Sequence, residues 1–349
     1  MVSSTFPIVR PEWLATYCED ILDPGLPIID PHHHLLDRPE HGTYLLPDLL
    51  DDLASGHNVL ATVYLEWLSM YRADGPVEMR PVGEVEFANG VAAMSASGTY
   101  GKPRACAAIV GHAELPLGAG LGRVLDAMIA VGGGRFRGVR FIACSDPDED
   151  QWSAKIRRPP GVQRDAKARE GFAEVARRGL SFDTWVYHPQ LGDVVDLARA
   201  FPDTPICVDH IGGPIGTARF EDKRQEVFAN WSHSIRELAA CPNVHIKLGG
   251  MGMKVFGFGF HDAESPPSSG LLAATWRPYL ETCIEAFGTK RAMFESNFPV
   301  DKASYGYDVY WNACKIIVNS MSNSEKSDLF SGTAARFYRM KCDFLNESA

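Results

Sequence analysis

Eight short apolar stretches recur along the 349-residue chain, at 27–30, 59–65, 105–110, 138–142, 180–186, 206–208, 244–248 and 292–294. Between them lie segments with apolar residues at helical spacing: 76–96, 119–131, 168–178, 190–200, 222–240, 271–287 and 304–320. Strands that alternate with helices predict a parallel sheet, and eight of them predict a (β/α)₈ TIM barrel of the α/β class. No Gly/Ser linker divides the chain and no internal repeat is visible, so residues 25–349 are expected to form one barrel domain. Residues 1–24 read as an N-terminal helical extension, with Pro11 starting a helix that carries Trp13, Leu14, Tyr17 and Leu22. Two excursions leave the barrel after strands, at 144–167 and 250–270. The second, rich in Gly, Met and Phe, is expected to act as a lid.

The ends of the strands carry the chemistry. The first runs Ile28-Ile29-Asp30-Pro31-His32-His33-His34. Side chains alternate along a strand, so His32 and His34 point one way and His33 the other. Two imidazoles on one side can grip a metal or a polarised carbonyl. The second strand ends at Glu66, and the third at His112. The fourth carries Arg140, the fifth ends Tyr187-His188, and the sixth ends Asp209-His210. The seventh carries Lys247 and the eighth ends Glu295-Ser296-Asn297. In a closed barrel these ends converge on one mouth. His188 or His210 alone would read as a satisfied core histidine; together with His32 and His34 they read as a site. Glu66 could instead cap the next element. His41, His57, His233, His245 and His261 lack such context and read as surface or local residues. Arg140 and Lys247 lie mid-strand, where an unpaired charge is costly, so each requires a carboxylate of the protein or of the substrate.

Composition narrows the partners. The formal net charge is −10 and no block of Lys and Arg stands out, which argues against nucleic acid. No apolar run reaches membrane-spanning length, and Met1 to Pro11 lacks a signal-peptide pattern. The eight cysteines form no C-x-x-C pair and predict reduced thiols in a cytoplasmic protein. The expected partner is a small molecule, anionic or a lactone, with a homodimer as the default oligomer.

Asp30-Pro31-His32-His33-His34-Leu35, Gly138-Val139-Arg140-Phe141, Asp209-His210-Ile211-Gly212-Gly213-Pro214 and Phe294-Glu295-Ser296-Asn297-Phe298-Pro299 together resemble the amidohydrolase superfamily. Within it they are similar to the amidohydrolase-related branch of TIM-barrel metal-dependent hydrolases, which contains 2-pyrone-4,6-dicarboxylate lactonases and sugar lactonases. The resemblance covers about residues 25–340. It implies a distorted barrel and one divalent metal, zinc being favoured by imidazole donors, on His32, His34 and His188. A metal-free mechanism with a histidine base is the alternative. The resemblance also implies that Arg140 binds a substrate carboxylate. His210, Asn297 and His188 are the catalytic candidates, and Arg140, Glu66, His112, Tyr187 and Lys247 the substrate-binding ones. Strand eight departs from the family's Gly-Ser-Asp-Trp-Pro: Asn297 stands at the Asp position, and an amide cannot take a proton from water as a carboxylate does. Glu295 is then a substitute base or ligand, or an ion-pair partner of Lys247 or Arg140, and Asp301 is a third option. The implied function is hydrolysis of a lactone or similar cyclic ester. The alternative is a metal-dependent decarboxylase of an aromatic or unsaturated acid.

Overall fold

The computed structural model describes residues 7–38, 42–148 and 156–341. The chain begins with one helical turn, α1 (Pro11–Leu14), and enters the barrel at β1 (Ile28–His33). A hairpin, β2 (Leu36–Arg38) and β3 (Gly42–Tyr44), and a short helix, α2 (Leu46–Leu53), precede β4 (Val59–Leu65). Strands and helices then alternate. These are α3 (Val82–Ala96), β5 (Arg104–His112), α4 (Leu121–Val131), β6 (Phe136–Ile142), α5 (Ala166–Arg177) and β7 (Ser181–Trp185). They continue through α6 (Leu191–Ala200), β8 (Ile206–Val208), α7 (Arg224–Ala239), β9 (Val244–Leu248), α8 (Ser269–Phe287), β10 (Ala292–Phe294) and α9 (Tyr307–Ile317). Two short helices, α10 (Asn323–Ser327) and α11 (Thr333–Phe337), end the described chain.

β1 and β4–β10 form one parallel sheet in sequential order. The seam between β10 and β1 closes just past the strand ends. There Asn297 N–H donates to the His32 carbonyl (2.9 Å) and His34 N–H to the Phe298 carbonyl (2.8 Å). The result is a nearly closed (β/α)₈ barrel, with the seam bonded at His32, His34 and Asn297.

All six residues of β1 are buried, as a parallel strand covered on both faces must be. One apolar cluster fills the layer between sheet and helices. A second lies inside the barrel: Ile29, Val63, Leu65, Val110 and Met293 meet Ala334, Phe337 and Tyr338 from the C-terminal segment. α11 therefore stoppers the end of the barrel away from the site.

Three sequence expectations change. The N-terminal helix is one turn, not 11–22; beyond it Glu19 instead accepts from Ser269 N–H (3.2 Å) and Asn312 Nδ2 (2.7 Å). The hairpin, α2 and the 323–337 helices carry too few residues for their periodicity to show. The 250–270 segment is a packed wall. Phe256, Phe258 and Phe260 stack in series, and the last two rest on Tyr279 and Trp276 of α8. Of the 144–167 excursion, 149–155 lie outside the described residues.

Candidate active site

His32 and His34 leave β1 on the barrel side, with their Nε2 atoms 3.2 Å apart. His34 Nδ1 lies 2.9 Å from the Leu65 carbonyl, an acceptor only, so this nitrogen carries the proton. The His34 lone pair is thereby fixed on Nε2, facing His32. His33 points outward to Thr62 Oγ1 (2.8 Å) and the Tyr64 ring, and burial lowers its pKa to about 3. Burial likewise holds His32 and His34 well below the ordinary histidine range.

Glu295 reaches both remaining imidazoles. Its Oε2 is 2.5 Å from His32 Nδ1, and its Oε1 is 2.7 Å from His210 Nδ1. Oε1 also accepts the His210 backbone N–H at 2.9 Å. Glu295 therefore sits between two histidines, and its direct ion partner is neither Lys247 nor Arg140. His210, Ile211 and Asn297 adopt positive φ (53°, 49° and 57°), a backbone shape that aims both polar side chains across the mouth. The seat of His210 depends on Gly250, where a Cβ would stand 2.3 Å from His210 Nδ1. Burial is the leading cause that raises Glu295 to about 8 and lowers His210 to about 3.

Beneath the histidines runs an ion-pair network without solvent access. Lys247 Nζ donates to Asp183 (2.8 Å) and Asp209 (2.9 Å), and lies 3.3 Å from His32 Nδ1. Arg140 Nε donates to Glu66 Oε1 (2.8 Å), and its Nη2 donates to the Glu66 carbonyl. Only Nη1 is left for the site, 3.3 Å from His32 Nε2 and 3.7 Å from Asp209. The two-pronged grip on a substrate carboxylate expected of Arg140 is thus already taken by Glu66. Lys247 and Glu66 are both fully buried partners of this network and lie beneath the pocket wall, away from substrate. Asp183 and Asp209 are the residues the sequence reading missed. Their signal was the mid-strand lysine, which demanded acids but could not say which.

The pocket above is lined by His34, Arg140, His210 and Asn297, with Trp67, Trp185, Tyr187 and Met253 among its apolar walls. Asn297 Nδ2 donates to Asp301 Oδ1 (2.9 Å), so its amide is oriented by Asp301. Asp301 in turn accepts from Gly252 N–H (2.9 Å) and Tyr305 Oη. Asp301 is buried and acts through Asn297, with no place on the pocket wall. His188 is not brought to this cluster. Its Nδ1 accepts the Ile215 N–H (3.3 Å) and its ring packs on Phe220. The donor atoms gathered within metal-binding reach of one another are those of His32, His210 and Glu295, and His188 is not among them. His112 lies to one side, in a neighbouring cavity.

One further acid shapes the wall. Glu84 of α3 accepts from Trp67 N–H (2.7 Å), Ser69 N–H (3.0 Å) and Tyr64 Oη (2.9 Å), tying down the turn that carries Trp67. Burial, then repulsion from Glu66, raises its pKa to about 8. A raised carboxyl stabilises the fold below its unfolded value and loses that contribution as pH climbs through the folded value. Wild type should therefore lose melting temperature between about pH 4.5 and pH 8. Glu84→Gln, which keeps the acceptor, should show a flatter profile. Parallel melting curves for the two proteins would refute this.

The amidohydrolase family model matches residues 29–340. The chain belongs to the amidohydrolase family. Among this amidohydrolase's relatives, the uncharacterized protein y4mH of Sinorhizobium fredii is 34% identical over 335 residues, covering 90% of this chain and 98% of its own length. An L-fucono-1,5-lactonase of Burkholderia multivorans is 32% identical over 181 residues, covering 50% of this chain and 57% of the lactonase. An amidohydrolase from Burkholderia multivorans crystallised with bound HEPES superposes with a TM-score of 0.69 at 25% identity, over 90% of this chain and 99% of that one. The zinc-bound crystal of an amidohydrolase from the same organism gives 0.68 at 24%, over the same shares of the two chains. A 5-carboxyvanillate decarboxylase from Sphingomonas paucimobilis shares the fold, with a TM-score of 0.53 at 12% identity over 90% of this chain and 100% of that one. The amidohydrolase barrel therefore hosts both hydrolase and lyase, and the choice falls to the site. Among the described residues no helix is long and apolar enough to cross a membrane.

Proposed function

We propose that the barrel mouth hydrolyses the ring ester of a small lactone, with one divalent cation held at His32 and His34. The observation that carries the reading is the pair of Nε2 atoms 3.2 Å apart, one with its lone pair forced inward. Adjacent nitrogens on a tetrahedral ion with bonds of ~2.0–2.1 Å lie ~3.3 Å apart. Charge balance supports it. The side chains linked to His32 comprise two cations, Arg140 and Lys247, and four acids, Glu66, Asp183, Asp209 and Glu295. With all four acids ionised, as a bound cation would favour, the network holds two negative charges in excess, which one divalent ion would cancel. Imidazole donors favour zinc. Bound there, the ion would polarise the lactone carbonyl and acidify the attacking water.

The chain's own residues supply the rest. His210, with Nδ1 engaged by Glu295, presents Nε2 to take the proton from water, and Glu295 steadies the imidazolium that forms. Asn297, held by Asp301, orients water or a substrate hydroxyl. Arg140 Nη1 is the remaining donor for charge developing on the carbonyl oxygen. Trp67 and Trp185 wall the ring off from solvent. The L-fucono-1,5-lactonase relative supports the lactone class. The cysteines among the described residues are all free thiols, which fits a cytoplasmic enzyme.

A decarboxylase is the second reading, favoured by one observation: an amide, Asn297, rather than a carboxylate faces the pocket from the eighth strand. Product analysis decides between them, since carbon dioxide marks the lyase and a new acid from a neutral ring marks the hydrolase. His210→Ala should lower kcat by roughly 10²–10⁴, the usual worth of a general base. Because burial and then the cations Arg140 and Lys247 depress His210, its neutral form persists well below pH 6.5. His210 itself should therefore add no limb at that value; the acid limb should lie near pH 8, where Glu295 takes up a proton, and a limb at pH 6–7 instead would sink the assignment.

A further inference from the structure

The catalytic pocket offers about 70 Å³. Beside it lies a larger chamber of about 420 Å³ between the Leu68 turn, α4 and the loop after β5. Leu68 and Ile156 line both cavities, so the two lie side by side across these side chains. The chamber's inner wall is apolar, built from Leu117, Leu121 and Val124. Its charges are matched within the protein: Arg158 holds Glu114 through two bonds of 2.6 and 2.7 Å, and Glu78 pairs with Arg123. His112 on its lining faces acids of the protein, with Nδ1 3.8 Å from Glu66 and Nε2 3.5 Å from Glu114.

We propose that this chamber is a second subsite, which receives a neutral, mainly apolar arm of the substrate while the lactone ring sits beside His34 and His210. The inference rests on the lactonase reading and specifies its substrate class. A polar sugar ring without an arm would leave the chamber to water; an alkyl or aryl substituent would fill it. Matched charges at the rim give an ionic arm no counter-charge and leave a neutral one undisturbed.

The test uses the purified, metal-loaded protein and δ-lactones with no arm and with n-alkyl arms of increasing length. The kcat/KM should rise about threefold to fourfold for each methylene that enters the chamber. Leu117→Trp and, at the chamber's exposed edge, Val77→Trp should each collapse the ratio of armed to unarmed kcat/KM towards one. Hydrolysis of unarmed lactones with no gain from an arm overturns the subsite and leaves the lactonase reading standing. A ratio untouched by both tryptophan variants overturns it as well. If no lactone of any kind is opened, the lactonase reading fails and the subsite with it.

Discussion

His32→Ala is expected to lose bound metal and turnover together. His32 is the hub of the site: its Nε2 faces His34 at 3.2 Å, its Nδ1 meets Glu295 at 2.5 Å, and Lys247 and Arg140 both approach it. Removing the ring deletes half of the H-x-H pair and unseats the carboxyl that positions His210. The loss in kcat should reach at least ~10³, more than one preorganised donor supplies. Elemental analysis of purified wild type should give about one divalent ion per chain, and the variant none. Exhaustive chelation of wild type should reproduce the variant's inactivity, and added zinc should restore only the wild type. Full activity in metal-free protein would move the mechanism to the histidine–carboxyl pair alone. A His32→Ala protein that retains stoichiometric metal would place the ion elsewhere.

Lys247→Met should be the most destabilising single change near the site. The methionine keeps most of the stem's volume but leaves Asp183 and Asp209 facing each other with no access to water. Breaking one side of a buried ion pair costs about 3–5 kcal/mol, because the orphaned charge remains. Burial, opposed by Lys247, already raises Asp209 to about 6. Removal of the lysine therefore makes the deficit larger above that pH and smaller below it, where Asp209 takes up a proton. Denaturant melts at pH 5 and pH 8 test both size and sign. A second change, Asp183→Asn, should recover part of the loss. A Lys247→Met protein as stable as wild type at pH 8 would show that the network is neutral in practice.

How much of this could be read without coordinates differs by residue. The H-x-H pair was legible because β-strand alternation is local: His32 and His34 share a side and His33 faces away, whatever the barrel does around them. The strand bounds at β4, β8, β9 and β10 were legible for a similar reason, since a buried parallel strand is a continuous apolar run. Arg140 and Lys247 announced a need for acids because a charge in mid-strand cannot stay unpaired. Which acids answered was not legible. Glu66, Asp183 and Asp209 are up to 74 residues away, and only the assembled sheet brings them into contact. His188 shows the opposite error. It follows an apolar strand as His210 does, yet the turn after β7 rotates its ring onto Phe220, and no spacing rule carries that rotation.

The sequence alone determined the eightfold alternation, the family resemblance and the two-histidine edge, because all three are periodicities or short motifs stated within a few residues. The tertiary structure decided the rest. It put Glu295 between two imidazoles and bound Arg140's fork to Glu66. It also turned Asn297 onto Asp301 and opened a chamber beside a small pocket. Each depends on the angle at which one strand end meets another across the barrel, and those angles are set by the packing of the whole sheet rather than by any segment of it.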